Sequence, residues 1–212
     1  LPPRVIGRAF DTPGNVLPVL DEDMRGHMMA KAAIEMGIWG LEATMLGMPL
    51  SRLIGGTRSE MDVGISLGIQ KTPDELATRV MTALRAGYRK VKIKIMPGSD
   101  VEFVRVAREA AGMAAPLMAD ANNAYTLDDA DHLTDLDELG LMMIEQPLAW
   151  DDLVRHAELQ RRLQTPICLD ESITSLDRAR DMVALGSGRI VNIKPGRVGG
   201  FASSIAIHDF CE

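Results

Sequence analysis

Cysteine is scarce in this sequence, with only Cys168 and Cys211 among its 212 residues. Two cysteines suit a reducing compartment better than a disulfide-stabilised scaffold, which needs a dense set of paired thiols. Hydrophobic residues make up 46 % of the chain. Even so, no apolar run approaches the roughly 20 residues that span a bilayer. We therefore expect a cytoplasmic protein without membrane partners.

Basic residues are also few, because 23 Lys and Arg stand against 30 Asp and Glu and leave a net charge of −7. Binding to nucleic acid or to an acidic membrane surface requires a basic face. The shortage of positive charge argues against both kinds of partner. A small molecule is the expected partner instead.

Neither end of the sequence has the features expected at the end of a complete protein. It begins Leu-Pro-Pro-Arg rather than with Met, and Cys211 and Glu212 fall within a predicted helix. We expect the native protein to be longer at both ends.

A repeat dominates the sequence from about residue 61 onward, where six short apolar segments alternate with amphipathic ones about every 25 residues. The predicted strands cover residues 61–69, 90–95, 117–121, 141–146, 167–171 and 190–194. Short apolar strands that alternate with amphipathic helices predict an α/β fold, a parallel sheet covered by helices. Such a sheet either closes into a barrel or opens into a doubly wound sheet, and the pattern alone allows both.

Several polar residues mark the predicted helix starts. Thr72 and Ser99 each begin a capping box, and Thr126 is the N-cap of a helix predicted to run to about residue 139. Before the repeat, a helix is predicted from about residue 23 to residue 46. Its stretch 28–36 is small and apolar nearly all round, which predicts burial on every side.

Acidic residues recur at the ends of three consecutive predicted strands, as Asp120, Glu145 and Asp170. Each follows the previous one by one strand–helix unit. In a barrel this spacing places three carboxylates side by side at the C-terminal rim, where active sites form. Converging carboxylates repel one another unless a cation neutralises them, and hard oxygen ligands suit Mg²⁺. The sequence therefore predicts a divalent metal site, with Mn²⁺ or Co²⁺ as alternatives, rather than three unrelated solvated acids.

Lysines accompany these acids at the strand ends. Lys92 and Lys94 lie two residues apart on the second strand and so share a face. Buried lysines are costly unless they are paired with opposite charges. Lys194 ends the sixth strand, which lies opposite the second in an eight-stranded barrel. We therefore expect Lys94 and Lys194 to face each other across the mouth, with the metal to one side.

A metal between two opposed lysines suits the removal of a proton next to a carboxylate. The substrate carboxylate would bind the metal, one lysine would take the α-proton, and the other would stabilise the resulting enediolate. Neighbouring positive charges would lower the pKa of the basic lysine toward working pH. The glycine-rich stretch 196–200 lacks the G-x-G-x-x-G order of a nucleotide-binding turn and is interpreted as a tight loop.

Together these residues resemble the muconate-lactonizing branch of the enolase superfamily, for which a lysine base with Mg²⁺ is a known pattern. The matching motifs are Lys92-Ile93-Lys94, Asp120-Ala121-Asn122, Ile144-Glu145-Gln146-Pro147, Asp170-Glu171-Ser172 and the stretch from Asn192 to Gly200. Within the branch, the sequence is most similar to o-succinylbenzoate synthases that also act as N-acylamino acid racemases. Three features favour this group: Pro195–Gly200, Lys94–Asp100, and Ser66 within Gly64–Ile69.

The resemblance implies a modified (β/α)7β barrel, represented here by about six βα units. Residues 57–212 would be that partial barrel, and residues 1–56 the last helices of an α+β capping domain. It also implies a homo-oligomer that acts on a small carboxylate, by dehydration in menaquinone biosynthesis, by racemisation, or by both.

The resemblance further implies a role for each matching residue. Asp120, Glu145 and Asp170 would hold the metal. Lys94 would be the principal acid and base, and Lys194 the second base or a stabilising cation. The supporting and substrate-contacting residues would be Lys92, Asn122, Glu171 and Ser66.

Two other functions stay open. A dipeptide epimerase or cycloisomerase of the same branch would use the same metal and lysines, because specificity would come from the cap loop and the later strand ends. A barrel that no longer catalyses, and serves as a binding module, is the second alternative. The intact set of acids and lysines speaks against it. The four histidines fall on predicted helices, so we do not expect them to bind metal: His27, His132, His156 and His208.

Overall fold

The computed structural model describes residues 1–212, which form two compact units. The sheet unit comprises residues 60–172 and 180–192, and the helical unit comprises residues 1–59, 173–179 and 193–212. None of the helices is both long enough and apolar enough to cross a membrane. The division into a capping remnant and a partial barrel at residue 56 stays a prediction, because compactness does not define family domains.

Six parallel strands form one sheet in the sheet unit: β1 (Gly64–Leu67), β2 (Lys90–Lys94), β3 (Leu117–Asp120), β4 (Ile144–Glu145), β5 (Ile167–Leu169) and β6 (Ile190–Val191). Each strand pairs with the next along the chain, and every pair is parallel. The predicted α/β fold with a parallel sheet is therefore confirmed. A doubly wound sheet reverses its strand order at a switch point. The consecutive order excludes that alternative and is the order of a barrel wall.

The two faces of β2 alternate in burial as its sequence predicts, whereas β3, β4 and β5 are buried throughout. All six strands are shorter than predicted. On β2, Val91 and Ile93 are fully buried, while the lysines occupy the other face and are only partly buried. The strand ends are cut short by left-handed backbone at Asn122 after β3 and at Gln146 after β4. Positive φ is incompatible with extended strand, so β3 ends at Asp120 and β4 ends at Glu145.

Ten α-helices occur along the chain: α1 (Val16–Asp21), α2 (Met28–Met45), α3 (Leu50–Leu53), α4 (Pro73–Arg85), α5 (Val101–Ala111), α6 (Ala130–Thr134), α7 (Leu153–Arg162), α8 (Leu176–Leu185), α9 (Pro195–Val198) and α10 (Phe201–Cys211). Short 3₁₀ helices span Pro2–Arg4, Pro13–Asn15, Leu127–Asp129 and Asp137–Leu139. The helix predicted to continue from Thr126 to residue 139 is therefore broken into three pieces.

The helix caps are partly as predicted. The Thr72 hydroxyl accepts a hydrogen bond from the Glu75 N–H at 3.2 Å and caps α4. The prediction that Ser99 caps the next helix is wrong, because α5 begins one residue later. Its N-cap is Asp100, whose carboxylate accepts from the Val101 N–H at 2.8 Å.

Helix α2 differs most from its prediction. It begins at Met28 rather than near residue 23, because His27 has left-handed backbone with φ of 56°. The prediction of burial on every side is also wrong. Met29 is 75 % exposed and Met45 is 73 % exposed, whereas Lys31 and Glu35 are fully buried. A uniformly apolar stretch has no moment that would indicate which face packs inward.

The buried charges of α2 have partners within the helical unit. Lys31 donates a hydrogen bond to Asp21. Glu35 accepts from the N–H groups of Phe201 at 2.8 Å and Ala202 at 2.9 Å, which are the first residues of α10. A carboxylate at a helix N-terminus satisfies free N–H groups and interacts favourably with the helix dipole. These pairings explain why two charged residues lie on the packed face.

Candidate metal and lysine site

The ends of β2, β3 and β4 bring four of the predicted site residues together. Strand register places Lys94 beside Asp120, and Asp120 beside Glu145. Both carboxylates are 1 % exposed. Charged groups buried to this degree need opposite charges or hydrogen bonds nearby, and the β2 lysines supply them.

Lys92 and Lys94 both bind the Asp120 carboxylate. The Lys92 ammonium lies 2.8 Å from Asp120 Oδ2 and 3.0 Å from Glu145 Oε2. The Lys94 ammonium lies 2.6 Å from the same Asp120 oxygen and also donates to the Asn122 side-chain oxygen. This satisfies the expectation that buried lysines are charge-paired.

These ion pairs shift the pKa values of Lys92 and Asp120. Burial by itself would lower the pKa of Lys92, but hydrogen bonds from its ammonium to Asp120 and Glu145 outweigh it and raise that pKa above its ordinary value. Burial would raise the pKa of Asp120, yet the two lysines hold it below its ordinary value. Lys92 and Asp120 are therefore both charged at neutral pH.

Further predicted residues adjoin the cluster. Asn122 accepts from Lys94 and donates to Glu171 Oε1 at 3.1 Å, so it connects the lysine to a fourth carboxylate. Ser66 is paired in register with Lys92. Both line a cavity of about 320 Å³ on the inner face of the sheet. Asp170 is buried directly after β5.

Two further residues of the site, Asn192 and Gln146, lie in the family motifs but were not predicted to have a role in the site. Asn192 donates its side-chain amide to Glu145 Oε1 at 2.7 Å, on the opposite side from Lys92. Gln146 accepts from the Asp170 N–H at 3.0 Å through its side-chain oxygen. The only sequence signal for either was an amide side chain directly beyond an apolar strand.

Lys194 belongs to the helical unit, where it is the N-cap residue of α9, three residues after β6 ends. Its placement opposite Lys94 across the mouth stays a prediction.

The donor set fits a divalent metal chemically, although these side chains are not arranged around one. No group of three or more His, Cys, Asp and Glu side chains lies in positions that could hold a metal ion. The lysine ammonium groups contact Asp120 Oδ2 and Glu145 Oε2. Counting Glu171, four carboxyl side chains lie at or directly after the ends of β3, β4 and β5. Glu171 Oε2 is buried with no hydrogen-bond partner. Hard oxygen donors of this kind suit a hard divalent cation.

Comparison with known proteins gives the family. Residues 1–55 match the model of the mandelate racemase / muconate lactonizing enzyme N-terminal domain, and residues 75–212 match that of the enolase C-terminal domain-like family. Enolase-superfamily enzymes generally use a divalent metal.

Individual relatives carry three different enzyme names. The chain is 55 % identical over 195 residues to o-succinylbenzoate synthase of Geobacillus kaustophilus, covering 92 % of this chain and 52 % of that protein. It is 48 % identical to N-succinylamino acid racemase of Thermus thermophilus, covering 99 % of this chain and 56 % of that protein. An L-Ala-D/L-Glu epimerase of Bacillus subtilis is 28 % identical, covering 100 % and 59 %. The chain thus spans little more than half the length of these relatives.

A solved structure supports the same family assignment. The crystal structure of an unknown enolase-superfamily member from Enterococcus faecalis superposes with a TM-score of 0.93 at 46 % identity, covering 99 % of this chain and 56 % of that one. The chain belongs to the enolase superfamily, in the mandelate racemase and muconate lactonizing enzyme branch.

Proposed function

We propose that this chain carries the reaction centre of an enzyme that removes the proton next to a substrate carboxylate, as an o-succinylbenzoate synthase, an N-succinylamino acid racemase or both. The observation that carries the proposal is the buried cluster in which Lys92 and Lys94 bind Asp120 at adjacent strand ends. The names of the relatives at 55 % and 48 % identity support both activities.

In this proposal Asp120, Glu145 and Asp170 hold the metal, with Mg²⁺ as the preferred ion and Mn²⁺ or Co²⁺ as alternatives. When bound, the ion would neutralise the negative charge that develops on the substrate carboxylate. The ammonium groups of Lys92 and Lys94 would then be relieved of part of their pairing with the acids. Lys94, at the end of its strand, would be available for the substrate.

The lysines perform the proton transfers. In racemisation, the neutral amine of Lys94 takes the α-proton from one face, and the ammonium of Lys194 delivers a proton to the other. In dehydration, Lys94 takes the α-proton and then protonates the departing hydroxyl, while the charge of Lys194 stabilises the intermediate. We assign supporting roles to three neighbours of Lys94 (Lys92, Asn122 and Glu171) and a substrate contact to Ser66.

The proposal also includes the substrate class, the compartment and the oligomeric state. The substrate is a small carboxylate, and the working protein is a cytoplasmic homo-oligomer. Dipeptide epimerisation or cycloisomerisation is the alternative within the branch. The chain is only 28 % identical to the L-Ala-D/L-Glu epimerase, which favours synthase or racemase activity over epimerisation. The intact charged cluster favours catalysis over a purely binding role.

Proton abstraction can be measured directly, as exchange of the α-proton of an N-succinylamino acid for deuterium in D₂O, followed by proton NMR with Mg²⁺ present. Formation of o-succinylbenzoate is followed in parallel by its absorbance. We expect Lys94→Met to reduce both rates at least about 100-fold, the lower range for loss of a general acid–base group.

Lys90→Met is the matched control, because Lys90 lies on the same strand and the same face but at the opposite end. It should leave the rates nearly unchanged. Equal rates in the Lys94→Met variant and the unmodified chain would refute the proposed role of Lys94. Exchange only with an Ala-Glu dipeptide would favour the epimerase.

A further inference from the structure

Gln146 is a completely buried amide directly after Glu145, and both ends of its side chain are engaged. Its oxygen accepts from the N–H groups of Asp170 at 3.0 Å and Ser172 at 3.2 Å. Its nitrogen donates to the Ser172 hydroxyl at 2.8 Å and to the Leu148 carbonyl at 3.2 Å. All the hydrogen-bonding capacity of this amide is therefore used.

The backbone of Gln146 adds two more connections. Its N–H donates to the Cys168 carbonyl on β5 at 2.8 Å, and its carbonyl accepts from the Asn123 N–H beyond β3 at 2.8 Å. The residue has left-handed backbone with φ of 41°, which is uncommon outside glycine and persists only where surrounding contacts enforce it. One residue thus connects the ends of β3, β4 and β5.

We propose that Gln146 is the positioning residue that fixes the Asp170 carboxylate relative to Asp120 and Glu145, and thereby sets the affinity of the site for a divalent cation. The inference rests on the proposed function, because it takes these three carboxylates as the ligands. Glu145 and Asp120 are held by strand register, but Asp170 lies beyond the last paired residue of its strand, Leu169. The Gln146 side chain supplies the constraint that register does not.

A divalent cation such as Mg²⁺ demands near-ideal geometry, so a ligand held loosely costs affinity. Partners that orient metal ligands without touching the metal typically contribute about 10- to 100-fold in affinity. Loss of the Gln146 amide should therefore weaken metal binding by about tenfold or more.

Gln160 provides a matched comparison within the same chain. It is also buried, and its oxygen accepts from the Ile167 N–H at 2.7 Å, at the start of β5. Its nitrogen donates to the carbonyls of Leu163 and Thr165, both at 3.2 Å. Gln160 therefore binds the beginning of β5, whereas Gln146 binds the backbone directly after its end, where Asp170 lies.

The test titrates Mn²⁺ alone, without substrate, into the unmodified chain and the variants, with binding followed by electron paramagnetic resonance. Urea unfolding of each variant measures stability. Gln146→Met and Gln160→Met should both lower the unfolding midpoint, since each removes buried hydrogen bonds. Only Gln146→Met should raise the Mn²⁺ dissociation constant, by about tenfold or more, with Gln160→Met within about twofold of the unmodified chain.

Ser172→Ala keeps the experiment informative if Gln146→Met does not fold. It removes only the hydroxyl that accepts from Gln146, and it should weaken Mn²⁺ binding by about threefold. Equal dissociation constants for the Gln146 and Gln160 variants, or no change in Ser172→Ala where Gln146→Met is unfolded, would overturn the inference. If the unmodified chain binds Mn²⁺ no better than an Asp120→Asn variant, the proposed metal site fails and the inference fails with it.

Discussion

Asp100 shows how much a single buried carboxylate can connect. Besides capping α5, it accepts hydrogen bonds from the Tyr125 hydroxyl and from His132 Nε2, both at 2.9 Å. Burial would raise its pKa, but these donors and the Val101 N–H hold it below its ordinary value. A carboxylate whose pKa is lower in the folded state contributes stability above its unfolded pKa of about 3.9. That stability is lost as the pH falls through the folded value.

Replacing Asp100 by Asn should lower the free energy of unfolding at pH 7 by about 1–2 kcal/mol, since a capping and hydrogen-bonding carboxylate is lost. The difference from the unmodified chain should shrink as the pH falls below about 4, where the carboxylate becomes protonated in the unfolded chain while it is still charged in the folded one. Urea unfolding monitored by circular dichroism between pH 7 and pH 3 measures both. Asp131→Asn, at an exposed position on α6, serves as the control. A difference independent of pH would contradict the ionisation argument.

At this scale the sequence indicates residue types better than hydrogen-bond partners. The equal spacing of Asp120, Glu145 and Asp170 predicted buried acids at strand ends, and the structure buries all three. The same sequence gave no sign that Asn192 donates to Glu145. Such a bond joins residues on non-adjacent strands, so no local pattern encodes it. Ser99 was predicted as the cap because Glu102 follows it at capping-box spacing, whereas the structure uses the Asp100 carboxylate, which accepts from the Val101 N–H.

Among the elements, strand order was predictable and element length was not. Six apolar segments in regular alternation predicted parallel strands in the order in which they occur. Their ends depend on left-handed residues such as Asn122 and Gln146, and neither is a glycine that would mark such a position. The burial of helix α2 was mispredicted for another reason. Its packed face includes Lys31 and Glu35, and a hydrophobic pattern would place such charged residues in solvent.

The start of α10 gives a test of that packing. Gly200 has φ of 128°, and a Cβ atom there would lie 2.0 Å from Glu35 Oε2. The carboxylate could move away only by releasing the first N–H groups of α10. We expect Gly200→Ala to lower the free energy of unfolding by about 2 kcal/mol or more, from strain and lost capping together.

Gly196→Ala, four residues earlier, is the matched control for this substitution. Gly196 lies in α9 with no atom within 4 Å of its added Cβ and no positive φ, so alanine should be neutral or slightly stabilising. Thermal unfolding of both variants under identical conditions makes the comparison. Equal midpoints would mean that Glu35 does not confine Gly200.

For the whole molecule, the sheet ends at two strands that have one neighbour each, since β1 pairs with β2 alone and β6 with β5 alone. Unpaired N–H and C=O groups along an edge strand are a template for pairing with another chain. This feature follows from strand order and could be predicted from the number of repeats.

We expect the chain to associate through the β1 edge in a concentration-dependent way, and Ile65→Lys to reduce that association by at least about threefold at equal protein concentration, since edge lysines oppose strand pairing. Ile65 lies within β1, whereas Ile69 lies just beyond it and is already 44 % exposed. Ile69→Lys adds the same charge outside the strand and should leave association nearly unchanged. Sedimentation velocity over a range of concentrations distinguishes the two. Equal weakening by both substitutions would indicate general charge repulsion instead of edge pairing.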